Sequence, residues 1–144
     1  MKIFCDTSVL VAACIRNHPH YEKAWPVLED IAKGRHSGII SMHATAELYS
    51  TLTAAPLKPR IQPAEAQQLI SRNVTCHFEM VAITKQMYQN AVRICTNAGL
   101  TSGAIYDALI LECARESAPD RIYTFNIRDF RRIAPDLVSL ISSP

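Results

Sequence analysis

The sequence predicts an α/β fold, a central parallel sheet covered by helices on both faces (three layers, α/β/α). Three observations predict it. Short apolar runs recur along the chain, stretches with apolar residues at helical spacing separate them, and 144 residues suit one domain, residues 1–144. Strands that alternate with helices form crossover units, and crossovers make parallel sheets.

Lys2–Cys5 is a buried strand, which Asp6-Thr7-Ser8 interrupts before Val9, Leu10 and Val11 continue as a helix. From Pro19, the apolar residues Tyr21, Ala24, Trp25, Leu28 and Ile31 hold helical spacing until Gly34, with Pro26 a place for a kink. Gly38-Ile39-Ile40 is a second strand. Ser41 then offers a cap, and Ala44, Leu48 and Leu52 carry a helix to Pro56. Pro56, Pro59 and Pro63 mark a connector within the domain, followed by a short helix over 64–71. Residues 78–83 alternate as a strand, and Met87, Ala91, Ile94, Cys95 and Ala98 form a helix closed by Gly99. Residues 104–114 are apolar nearly all round, as in a helix packed inside a protein. Residues 122–125 are the last strand, and 128–141 an ill-defined tail.

With 49% apolar and 19% charged residues the chain is far from a disordered composition. It has no apolar stretch of membrane-spanning length and no leader pattern at its start, so a cytoplasmic location is expected. A net charge of +2 is too small to announce a nucleic-acid partner. Five cysteines without a C-x-x-C pair read as reduced, buried small hydrophobes. His18-Pro19-His20 and Cys76-His77 have no second pair at ligand spacing, which sets zinc aside.

Three acids stand where the pattern demands burial: Asp6 after Ile3-Phe4-Cys5, Glu47 within Ala44-Thr45-Ala46-Glu47-Leu48, and Asp107 within a run from Ala104 to Ile110. A carboxylate taken out of water costs several kcal/mol unless it is compensated. Taken singly, Asp6 could cap the first helix and Asp107 could sit in a first turn, where the helix dipole favours negative charge. Glu79 suits the wet side of a strand, and Glu112 the outer side of its helix. Taken jointly, the three acids fall at the rim where parallel-sheet proteins bind ligands. They would repel one another there unless a hard cation neutralised them. Oxygen donors without paired Cys or His favour Mg²⁺ or Mn²⁺, and an ion so held completes its shell with water and substrate phosphate. Asn126 and Asp129 are candidates for a fourth group, or a strand-end turn residue and a solvated loop acid. Thr7 and Ser8 could bond the carboxylates or phosphate, or cap the helix.

These segments resemble the PIN domains, in particular the VapC-type toxin nucleases of bacterial and archaeal toxin–antitoxin pairs. The resemblance spans nearly the whole chain. It rests on Ile3-Phe4-Cys5-Asp6-Thr7-Ser8-Val9-Leu10, Ala46-Glu47-Leu48, Tyr106-Asp107-Ala108-Leu109-Ile110, and Tyr123-Thr124-Phe125-Asn126 with Asp129-Phe130, four weak signals in a specific order. It implies an Mg²⁺/Mn²⁺ site built from Asp6, Glu47 and Asp107, endoribonuclease activity, a homodimer, and a VapB-like antitoxin that inserts a segment into the active-site groove. The family's fourth acid lies in the last segment. Here Asn126 follows Thr124-Phe125, leaving Asp129 as the carboxylate and Thr124 with Asn126 as supporting groups.

The chemistry expected is metal-assisted hydrolysis of an RNA phosphodiester, with Asp6 and Asp107 as ligands and Glu47 a ligand or the group that orients water. Arg16 and Lys23, Lys58 and Arg60, and Arg128, Arg131 and Arg132 are candidate RNA contacts or plain surface charge. An aspartyl-phosphate enzyme would want a second Asp where Ser8 stands, and a P-loop motif is absent. The rival is a PIN-like module that has lost catalysis and binds only RNA or a partner.

Overall fold

Ile3, Phe4 and Cys5 are apolar in succession because their strand is covered on both faces. In the computed structural model, which describes residues 1–144, this strand, β1 (Lys2–Cys5), is the middle of a five-stranded sheet. The others are β2 (Ser37–Ser41), β3 (Phe78–Val81), β4 (Arg121–Tyr123) and β5 (Ile141–Ser142), in the order β3-β2-β1-β4-β5 and parallel throughout. Seven helices connect them: α1 (Thr7–Cys14), α2 (Tyr21–Ala32), α3 (His43–Ala54), α4 (Pro63–Ile70), α5 (Lys85–Ala98), α6 (Ala104–Ser117) and α7 (Ile127–Ile133).

Strand alternation divides the core in two. Ile3, Cys5 and Ile40 pack with α1–α4 on one side of the sheet, whereas Phe4, Ile39 and Ile122 pack with α5–α7 on the other. The expected three-layer α/β/α architecture is therefore present. Strand order reverses at β1, which has β2 on one side and β4 on the other, so the crevice between the ends of β1 and β4 is the sheet's switch point.

Several local signals act as read. Ser41 Oγ accepts the Ala44 N–H at 3.1 Å. Gly99 ends α5 with φ +64. Helix α2 runs through Pro26, whose ring lies on the exposed side. From Ala108 to Ala114 helix α6 is buried at every position, Glu112 included.

Three expectations need correction. The tail is ordered: it forms α7, a 3₁₀ turn (Pro135–Leu137) and the edge strand β5. Glu112 lies inside, not on the outer face, because Asn90 Nδ2 donates to it at 2.9 Å and Arg115 pairs with it while gripping Asp136 at 2.8 Å. Cys76 is exposed, whereas Cys5, Cys95 and Cys113 are buried. Burial and the neighbouring Asp6 charge push the Cys5 thiol up, and burial pushes Cys113 up to about 11, so both are inert.

Candidate active site

Asp6 occupies the N-cap position of α1, yet its side chain caps nothing. Ser8 Oγ donates to Asp6 Oδ2 at 2.6 Å, and Thr124 Oγ1 donates to the same oxygen at 2.8 Å. Each hydroxyl is itself aimed by a backbone donor: Phe125 N–H reaches Ser8 Oγ at 3.1 Å and Asn126 N–H reaches Thr124 Oγ1 at 2.9 Å. The peptide after β1 is thus stitched to the peptide after β4, and Asp6 is held rigidly although only 6% exposed. Both bonds fall on Oδ2, which leaves Oδ1 for another ligand.

Asp107 lies in the first turn of α6 and accepts Asn126 Nδ2 at 3.1 Å. Its pKa is pushed up to about 6, first by burial and then by the charges of Asp6, Asp129 and Glu47, against a smaller opposing effect of Arg132. Glu47, on α3, is also shifted up, by burial and by Asp6, with His43 and the nearby Thr7 hydroxyl pulling the other way. Its Oε1 is buried without a hydrogen bond, His43 Nε2 standing 3.6 Å away, and Thr7 Oγ1 is buried and unpartnered likewise.

These groups share one cavity of about 640 Å³. Asp6, Thr7, Ser8 and Asn126 form its floor with Asp107 and Glu47, and His18, Pro19, His20 and Phe125 add an aromatic wall. A larger hollow of about 790 Å³ lies between α3 and α4, but no charged side chain lines it, so the chemistry belongs to the smaller one. Asp129 does not line the cavity. It pairs with Arg132 at 3.3 Å and acts on Asp107 only through its charge. Thr124 sits beneath Asp6, fully buried.

None of the candidate RNA-binding cations lines the cavity. Arg131 is spent on the Ile141 carbonyl at 2.9 Å, Arg132 faces Asp129, and Arg16, Lys23, Lys58, Arg60 and Arg128 are exposed. Conversely, sequence reasoning weighed His18 and His20 only as zinc ligands and passed over Thr51. Thr51 was legible, standing one helical turn after Glu47 on the same face. Nothing local places the histidines beside Asp6.

Could a divalent cation fit? No three His, Cys, Asp or Glu side chains are drawn together into a ready cage, as mutual repulsion among the carboxylates would oppose. The donor chemistry nonetheless suits a hard ion: carboxylate and hydroxyl oxygens, with Asp6 Oδ1 free and two buried oxygens, Glu47 Oε1 and Thr7 Oγ1, near each other but neither in a formed hydrogen bond. Mg²⁺ retains waters and takes only one or two carboxylates directly, so a loose set is the kind it uses.

Residues 3–135 match the model of the PIN domain. The chain belongs to the PIN-domain family. A PIN relative, ribonuclease VapC27 of Mycobacterium tuberculosis, is 28% identical over 113 residues, covering 77% of this chain and 75% of its own. Two solved PIN structures share the fold. The VapBC2 complex of Rickettsia felis bound to a DNA fragment from its promoter superposes with a TM-score of 0.71 at 23% identity, covering 99% of this chain and 98% of the other. Mycobacterium tuberculosis VapC20, a sarcin–ricin loop cleaving toxin, gives 0.69 at 15% identity, covering 88% and 92%. The family resemblance read from the four sequence segments is thereby confirmed, and no helix of this PIN domain is long and apolar enough to cross a membrane.

Proposed function

We propose that residues 1–144 act as one VapC-type nuclease domain, an Mg²⁺- or Mn²⁺-dependent endoribonuclease that is the toxin of a toxin–antitoxin pair. The observation that carries this reading is the meeting of Asp6, Glu47 and Asp107 around one cavity at the switch point, where burial first and then the neighbouring carboxylate charges push Asp107 up to about 6. Such a charge cluster is costly to keep and calls for a cationic ligand. The ribonuclease name of VapC27 supports RNA as substrate, and the VapBC2 complex supports a VapB-like antitoxin and a promoter-bound assembly. A homodimer in the cytoplasm completes the reading.

Asp6 and Asp107 would hold the cation, Asp6 kept in place by Ser8 and Thr124, Asp107 by the Asn126 amide. When bound, a hard divalent cation supplies a Lewis acid for the phosphoryl oxygen and lowers the pKa of a coordinated water. Glu47, half-exposed and with Oε1 free of hydrogen bonds, is a further ligand or the group that orients the attacking water. Asp129 adds negative field at the margin while Arg132 offsets part of it. No side chain needs to form a covalent intermediate.

The test is cleavage of a structured RNA with Mg²⁺ or Mn²⁺, with EDTA and Asp6→Asn as controls. Cleavage should disappear in both controls, an expected loss of at least ~100-fold for a ligand substitution. Metal-independent cleavage, or an equally active Asp6→Asn, refutes the mechanism. Asn126, an amide where the family has an acid, favours the second reading, a catalytically weak RNA- or partner-binding module. That reading predicts RNA binding without cleavage in the same assay.

A further inference from the structure

Part of the lining of the cavity comes from the turn between α1 and α2, and this turn is built tightly. His18 N–H donates to the Ile15 carbonyl at 2.9 Å, and Tyr21 N–H to the His18 carbonyl at 3.0 Å. His18 Nδ1 accepts the His20 backbone N–H at 3.1 Å, which places the proton of the neutral ring on Nε2. Burial and the neighbouring His20 hold His18 below its usual pKa, so the ring is an uncharged donor at neutral pH. The His20 ring stacks on Phe125, 4.3 Å between centroids and 15° between planes, and His18 tilts against His20 at 5.7 Å and 47°. Phe125 is fixed in turn, since its N–H bonds Ser8 Oγ beside Asp6.

No lysine or arginine lines this cavity, and Ser8 spends its hydroxyl proton, and Asn126 one of its two amide hydrogens, on the carboxylates. Besides the threonine hydroxyls, an anionic polynucleotide entering it meets the His18 imidazole N–H and the exposed His20 ring, which is backed by the partly buried Phe125. We propose that His18-Pro19-His20 with Phe125 is a nucleotide-binding subsite of the cleft: an RNA base stacks on the His20–Phe125 pair and His18 Nε2–H donates to a phosphate or sugar oxygen. The proposal rests on the ribonuclease reading above. A stacked base is held by its π-face, so this subsite positions the chain across the carboxylates without demanding one base identity.

The experiment uses the full chain, a hairpin RNA that it cleaves, and the same hairpin with an abasic residue at each position within two of the scissile bond. His20→Leu should raise KM roughly 10-fold with kcat nearly unchanged, and His20→Phe should restore most of it. His18→Asn keeps an acceptor for the His20 N–H but loses the distal donor, and should raise KM roughly 5-fold. Mn²⁺ affinity by calorimetry and Tm should match the wild type in all three. One abasic position should reproduce the His20→Leu effect and add nothing to it. An unchanged KM, an abasic loss additive with His20→Leu, or a KM that rises only with a fall in Tm overturns the subsite. Should His20→Leu fail to fold, the abasic series on the wild type decides, and no effect at any position overturns it. A wild type that neither binds nor cuts RNA instead brings down the ribonuclease reading, and the subsite with it.

Discussion

Asp107 shows what one carboxyl contributes to both stability and function. Its folded pKa of about 6 exceeds the ordinary 3.8, so the folded chain holds this proton more tightly than the unfolded one does. In metal-free buffer, stability is therefore greatest below the ordinary value, declines as pH rises through it toward 6, and is level above. Solvent around a half-buried carboxylate screens much of the effect, leaving about 1 kcal/mol, or ~3 °C in Tm. Asp107→Asn should melt ~3 °C above the wild type at about pH 7.5 without metal, with the gap closing near pH 4. It should also lose measurable Mn²⁺ binding by calorimetry. An identical pH profile of Tm in the two proteins would remove the basis for a strained carboxylate cluster. At this scale the sequence was informative about the acids and less so about their supports. Asp6, Glu47 and Asp107 stood out because they break apolar runs, whereas Asn126 became recognisable as the donor to Asp107 only with both side chains in view. Glu112 broke an apolar run in the same way and was assigned outward. Its partner Asn90 lies on another helix, invisible to a helical pattern.

Elements announce themselves by length. The long helices α5 and α6 and the apolar strands β1 and β2 were legible because period and burial agree over many residues. The tail was not. In α7 only Phe130 and Ile133 are buried, among three arginines, and β5 has two residues, too few for either period to register. The π-helical turn Ser71–Thr75 after α4 has no sequence signature either. Between elements, close packing turns on Gly38 in β2. A Cβ there would lie 2.7 Å from Ile31 Cγ2 of α2 and 2.7 Å from the Phe78 ring of β3, inside van der Waals contact with two packed side chains. Gly38→Ala should cost about 2 kcal/mol in denaturant unfolding with the m-value unchanged. A neutral result would mean that α2 can lift from the sheet without penalty.

For the molecule as a whole, the homodimer reading asks for an apolar face. Tyr88 and Val92, one turn apart on α5, are 51% and 57% exposed, on a helix whose other face is sealed against α6. Val92→Asp should convert the dimer to a monomer by sedimentation velocity, since an unpaired charge in a buried interface costs several kcal/mol. A dimer that survives the substitution has its contact elsewhere. The fold class and the three layers were readable from alternation alone, but the aromatic wall of the cavity was not. It joins His20 to Phe125 across most of the chain, and only the switch point between β1 and β4 brings them together.

The centre of the sheet is β1, and its β4 neighbour, Arg121–Tyr123, lies far along the chain from it. During folding, then, β1 waits on one side for a partner of high sequence separation, a pairing of the slow-forming kind. Thr124, which grips Asp6, arrives later still. The grip on that carboxylate thus spans 118 positions of chain, and it is set only when the β4 end has docked beside β1.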